Sequence, residues 1–157
     1  MRERQRWIEP LSAPPKQSAV RLLNAQPVSA EEFDAALAGL KAAAPFAVAV
    51  SGGADSMALL LLANEWCRAH GAAPPQAVTV DHALREGSAS EAHSVATWAA
   101  AHGVPHATLR WEEGKKSSNI QSQAREARYT LIGNWMLNLG LKALMTGHTL
   151  DDQAETF

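Results

Sequence analysis

Hydrophobic positions along this chain change their period at Pro45. Before it, residues 1–28 hold four prolines and no sustained period, which predicts a flexible leader. Ser29 and Glu32 then stand at capping-box spacing, and Phe33, Leu37 and Leu40 mark one face of a first helix. Beyond Pro45, short apolar runs alternate with longer helical stripes. The run FAVAV at 46–50 reads as a buried strand. Residues 54–69 are apolar nearly all round and stop at Gly71, which predicts a buried helix. AVTV at 77–80 is the next strand. Ser88 and Glu91 repeat the capping-box spacing ahead of the stripe Ala92, Val95, Trp98 and Ala99, which ends at Gly103. A third strand is expected in 106–111, followed by an exposed loop, EEGKKSS. Asn119 is placed to cap a long helix carrying Ile120, Ala124, Ala127, Leu131 and Trp135, stopped by Gly140. A fourth strand falls in 141–147, and another helix starts in 149–157.

Strand and helix in this alternation imply parallel strands joined by right-handed crossovers. The expected fold is α/β: an open doubly wound parallel sheet with helices on both faces and strand order 3-2-1-4. A sheet of this kind takes a fifth strand, which would fall beyond Phe157, so residues 29–157 read as one domain cut short at its C-terminal side. Ligands of such sheets bind beyond the carboxyl ends of the strands. That rule singles out residues 51–56, 81–90 and 147–155.

Composition narrows the class. The chain has 157 residues, is 46% hydrophobic and carries a formal charge of −2, so it can bury a core and shows no single-sign field for nucleic acid. Its one cysteine, Cys67, excludes an internal disulfide framework or a CxxC pair within this stretch. The longest apolar run, 57–63, is far short of a membrane span, and no apolar signal core follows MRERQR. A cytoplasmic protein without a membrane partner is expected.

Ser51-Gly52-Gly53-Ala54-Asp55-Ser56 lies where the first strand turns into a helix. Two glycines permit a sharp turn and close approach of a ligand to the backbone. The first N–H groups of the helix lack partners, and the dipole is positive there, which suits phosphate or pyrophosphate. Ser51 and Ser56 offer hydroxyl donors. Asp55 would repel a bare phosphate, and Mg²⁺ bridging carboxylate and phosphate resolves the conflict. A plain strand-to-helix turn, with Asp55 facing the dipole, is the alternative. Neither GxGxxG nor GxxxxGKS/T occurs, so Rossmann and Walker loops fail on spacing.

SGGADS matches SGGxDS, the pyrophosphate loop of the N-type ATP pyrophosphatases. VDHALREGSASEA (80–92) resembles the VDHxLRxxSxxEA segment of the tRNA(Ile)-lysidine synthases within that superfamily. NIQSQAREARYTLI (119–132) is similar to their helix with ARxxRY, and TGHTLDDQAET (146–156) to their TxHxxDDQxET. The resemblance covers residues 45–157, in the same motif order. It implies a PP-loop domain in which ATP adenylates the C2 oxygen of the wobble cytidine of an isoleucine tRNA. The amine of L-lysine then displaces AMP. ATP and Mg²⁺ are the implied cofactors, the tRNA and lysine the partners, and a homodimer is admitted.

Carried onto this chain, the resemblance assigns ATP binding to Ser51, Gly52, Gly53, Ala54, Asp55, Ser56, His82, Arg85, Arg128 and His148. It assigns catalysis to Asp55, Arg125, Asp152 and Glu155, and metal binding to Asp55 and Asp152. Read physically, His82 and Arg85 follow a strand and reach base, ribose or phosphate; an ordinary loop histidine is the alternative. Arg125 and Arg128 are expected on one helical face, calling for phosphates or for carboxylates such as Glu126 or Glu113. Asp151, Asp152 and Glu155 either serve a helix dipole, bind metal or orient the lysine ammonium. A tRNA thiolase or amide synthetase of the same superfamily and a non-catalytic nucleotide-binding module are the competing readings. The lone cysteine speaks against a thiolase with paired cysteines.

Overall fold

The computed structural model describes residues 27–40, 44–83, 86–111 and 120–147. Most of the expected leader, the EEGKKSS loop, the Asn119 cap and the expected helix in 149–157 lie outside them. The elements are α1 (Ala30–Gly39), β1 (Ala47–Ala49), α2 (Ala54–Ala69), β2 (Gln76–Asp81), α3 (Ser88–Ala101), β3 (His106–Arg110), α4 (Ile120–Leu139) and β4 (Leu144–Thr146). The strands form one parallel sheet in the order β3-β2-β1-β4, as the alternation predicted.

Register explains the two-sided core. Val48 pairs with Ala77 and Met145, so these side chains share a face. With Phe46 and Val50 they pack against Leu60, Ala63 and Cys67 of α2 and Val95 and Ala99 of α3. The alternate residues Ala49, Val78 and Val80 meet Ile132 of α4 around a cavity on the other side. The order reverses after β3, which sends α4 across the opposite face from α2 and α3.

Two expectations are corrected. Helix α2 is not buried all round: Ala58, Glu65 and Arg68 are exposed, because a crossover helix covers one sheet face and turns its outer side to water. Ser88 does not cap α3. The N-cap is Gly87 at φ 91, and Glu91 N donates to Gly87 O at 3.0 Å. Ser88 is drawn away because its hydroxyl bonds the carboxylate of Asp81. The first capping box holds: Glu32 N donates to Ser29 Oγ at 3.2 Å and Ser29 N to Glu32 Oε2 at 2.9 Å.

Helices α2 and α3 end alike, on Trp-x-x-x-His-Gly. His70 Nδ1 donates to Trp66 O at 2.9 Å, and His102 Nδ1 to Trp98 O at 2.8 Å. Each imidazole stacks on its indole, with centroids 4.2 and 4.0 Å apart. Gly71 and Gly103 then take φ of 63° and 71°, which terminates both helices. Trp66 Nε1 also donates to Asp34 Oδ1 at 2.7 Å, fastening α1 to the sheet layer.

Phe46 is fully buried where α2 meets the sheet, 6.0 Å from the Trp66 ring. Phe46→Ala should cost about 3–5 kcal/mol of unfolding free energy, read by urea denaturation.

Candidate functional site

At the end of β1 the chain turns through Ser51, Gly52 and Gly53 into α2. Gly52 sits at φ 87, a conformation that glycine adopts freely. Gly53 is the N-cap at φ −73, ψ 154, which any residue can adopt. Serines lock the turn from within. Ser51 N donates to Ser56 Oγ at 3.1 Å, and Ser56 Oγ donates to Gly53 O at 2.9 Å. Gly53 N reaches Ser51 Oγ at 3.3 Å. Ser56 is therefore a buried clamp, 6% exposed, whose hydroxyl is engaged within the turn. The N–H groups of Gly52, Ala54 and Asp55 have no partner among the described residues. They stand at the start of α2, where unpartnered N–H groups suit an anion.

The strand ends converge as topology requires. One cavity of about 430 Å³ is lined by Ser51 after β1, Asp81 and His82 at the end of β2, and Thr146 and Gly147 at the end of β4. Arg128, Tyr129 and Ile132 of α4 close its side. The cavity reaches from β4 across β1 to β2, wider than the β1–β4 crevice that strand order alone suggests. Gly147 sits tight against α2: a side-chain carbon there would lie 2.7 Å from Ser56 N and 2.8 Å from Ser56 Cα.

Asp81 shapes the β2 end. Its carboxylate, 6% exposed, accepts from Ala83 N at 2.8 Å and from Ser88, and these bonds hold its pKa below the ordinary 3.8. The same turn puts Ala83 at φ 47. His82 Nε2 lies 3.3 Å from an Arg128 guanidinium nitrogen. Arginine only donates, so Nε2 accepts and a neutral ring carries its proton on Nδ1. Burial, reinforced by Arg128, pushes His82 below its usual 6.5, which keeps the ring neutral. Nδ1 is buried and has no partner among the described residues, leaving a donor for a ligand acceptor.

The other expected residues divide. Arg128 reaches the cavity, but Arg125 does not: it is exposed, its guanidinium 6.0 Å from the Tyr129 ring centroid. Three residues of helix subtend about 300°, enough to point the two arginines differently at a narrow cavity mouth. Asp55 is exposed at the α2 start and is not among the residues lining the cavity. Of the loop 51–56, only Ser51 lines that cavity, while Gly52 lines a second, shallower groove with Glu91, Ser94 and Trp98. Arg85, His148, Asp151, Asp152 and Glu155 lie outside the described residues. Sequence reasoning did not single out Tyr129 or Glu91 as site residues, although both sit inside quoted motifs; Gly147 falls in the 147–155 segment that the strand-end rule marked.

A phosphate-ready turn at the carboxyl edge of a doubly wound parallel sheet defines an α/β protein of the nucleotide-binding class. Within that class the chain belongs to the PP-loop domain family, which matches residues 25–157. It is 49% identical over 130 residues to the tRNA(Ile)-lysidine synthase of Rhodopseudomonas palustris, covering 82% of this chain and 38% of that protein. It is 45% identical over 131 residues to that of Bradyrhizobium diazoefficiens, covering 83% and 36%. The chain thus spans less than two fifths of the length of these relatives. A U34-tRNA thiolase from Methanococcus maripaludis shares the fold, with a TM-score of 0.61 at 20% identity, over 71% of this chain and 41% of that one.

The two glycines should separate in experiment. Gly53→Val keeps an ordinary backbone conformation, and its Cβ would meet Ser51 Oγ at 3.4 Å, so it should impair ATP affinity far more than stability. Gly52→Val forces a branched residue to φ 87 with Val95 Cγ2 at 3.3 Å, and should cost about 1–2 kcal/mol of stability as well. Thermal melts and calorimetric ATP titrations read both.

Since the folded-state pKa of His82 is lowered, the unfolded chain takes up its proton first as pH falls through 6.5. Stability should decline below that pH, and a His82→Asn variant should show a smaller decline. An undiminished pH response in that variant would remove His82 as its source.

Proposed function

We propose that this chain is the nucleotide-activating domain of a tRNA(Ile)-lysidine synthase. The observation that carries the reading is the set of unpartnered N–H groups of Gly52, Ala54 and Asp55 beside a cavity lined by His82 and Arg128. The turn takes the pyrophosphate part of ATP, and Arg128 adds a fixed cation for its anionic oxygens. The C2 oxygen of the wobble cytidine attacks the α-phosphorus, and pyrophosphate leaves with its charge held by the amides. The lysine amine then attacks C2, loses a proton, and AMP departs with the former cytidine oxygen. Arg125, Asp152 and Glu155 are assigned to this chemistry by the motif resemblance alone.

The Asp55 carboxylate fits a Mg²⁺ ligand: it is exposed at the phosphate turn and has no partner among the described residues. Those residues hold no cluster of three or more potential ligands, so the ion would be shared with phosphate oxygens and with Asp152. Bound there, it would neutralise charge on the leaving pyrophosphate.

The natural full-length protein, given ATP, labelled lysine and isoleucine tRNA with a wobble cytidine, should transfer label to RNA and release AMP. Label-free RNA, with activity toward another acceptor, would refute the assignment. Asp55→Ala should fold normally and lower ATP–pyrophosphate exchange by about 100-fold or more. Wild-type exchange in the folded variant would strip Asp55 of its role.

A further inference from the structure

The ladder between β1 and β2 closes at Ala49 and Val78, with one last backbone bond from Val50 N to Val78 O at 2.8 Å. The Val50 carbonyl, the last group before the phosphate turn, is held by a side chain: Thr79 Oγ1 donates to it at 2.8 Å. Thr79 is buried on β2, and its oxygen also meets His106 Nε2 of β3 at 2.9 Å. A carbonyl only accepts, and the hydroxyl has one proton. The proton of Thr79 therefore goes to Val50, and His106 Nε2 must be the donor to Thr79.

The Val50 carbonyl and the Ser51 N–H belong to one rigid peptide plane. Ser51 N donates to Ser56 Oγ, which donates to Gly53 O. The bonds therefore run head to tail, from His106 through Thr79, the 50–51 peptide and Ser56 to the carbonyl of the α2 N-cap. Bonds oriented in series polarise one another in the same sense.

We propose that Thr79 and His106 are positioning residues of the PP-loop: they set the plane of the 50–51 peptide and so the aim of the free amides of Gly52, Ala54 and Asp55. The inference rests on the reading of this turn as a phosphate cradle. Neither residue lies within the turn itself. His106 is reached only through the sheet, two strands away from β1.

The test uses the natural full-length protein and readouts with and without nucleotide. Without ATP, Thr79→Val should speed amide hydrogen exchange at Ser51 by about tenfold, the loss of one buried hydrogen bond. With ATP, it should raise the KM for ATP by a similar factor and change kcat less. Thr79→Ser, which keeps the hydroxyl, should restore both. His106→Phe should give a smaller shift of the same kind, and adding it to Thr79→Val should do no further harm, because the links act in series. Thr108→Val, at the position on β3 paired with Thr79, is the control and should behave as wild type. Nitrogen NMR of labelled histidine should show His106 protonated at Nε2. Wild-type Ser51 exchange in Thr79→Val, failure of Thr79→Ser to restore it, or an Nδ1-protonated His106 would each overturn the proposal. If exchange responds as stated but the wild-type protein binds no ATP, the relay stands and the phosphate-cradle reading falls.

Discussion

Parallel strands all release the chain at the same edge, and the site depends on that constraint. Ser51, His82 and Gly147 are distant in sequence, yet each follows a strand of one sheet and so lines one cavity. The reversal of strand order after β3 brings α4 over the opposite face and delivers Arg128 to the same space. No long-range side-chain bond is needed to gather these groups; the ladder does it. Side-chain bonds then refine their aim, as Thr79 does for the Val50 carbonyl.

Ligand-facing groups here are donors left over after the fold has satisfied its own needs. The serines of the turn bond each other and the local backbone, which leaves the amides of Gly52, Ala54 and Asp55 for an anion. Arg128 consumes the Nε2 lone pair of His82 and leaves the opposite nitrogen as a buried donor. Burial also keeps His82 and His106 below their usual pKa, so both rings stay neutral and hold definite tautomers. Neutral donors and the Arg128 cation thus share the cavity with the carboxylates of Asp81 and Glu91.

The helix ends show a second economy. Trp66-His70-Gly71 and Trp98-His102-Gly103 use one local arrangement to finish the two helices packed on the same sheet face. The indole packs toward the core, the imidazole caps its carbonyl, and the glycine turns the chain toward the next strand. The Trp66 copy has the added bond to Asp34, which is how α1 joins the layer.

Local pattern determined the strands, the helices, their parallel order and the place of the phosphate turn. Period, glycine stops and the Ser29–Glu32 box act over one or two turns of chain, so they are legible without knowing the fold. The motifs SGGADS, VDH and ARxxRY, noticed through family resemblance, each contribute residues to the cavity lining. Tertiary structure alone decided what each side chain in those segments does. Ser56 became an internal clamp, Ser88 left its cap position for Asp81, and Arg128 turned to the cavity while Arg125 turned to Tyr129. Gly147 is required to be small by the backbone of Ser56, and Thr79 and His106 meet through strand register. These pairings join residues whose partners are tens of positions away, and a hydrogen bond depends on ångström-scale distance and on which atom carries the proton. Spacing along a single chain carries neither quantity.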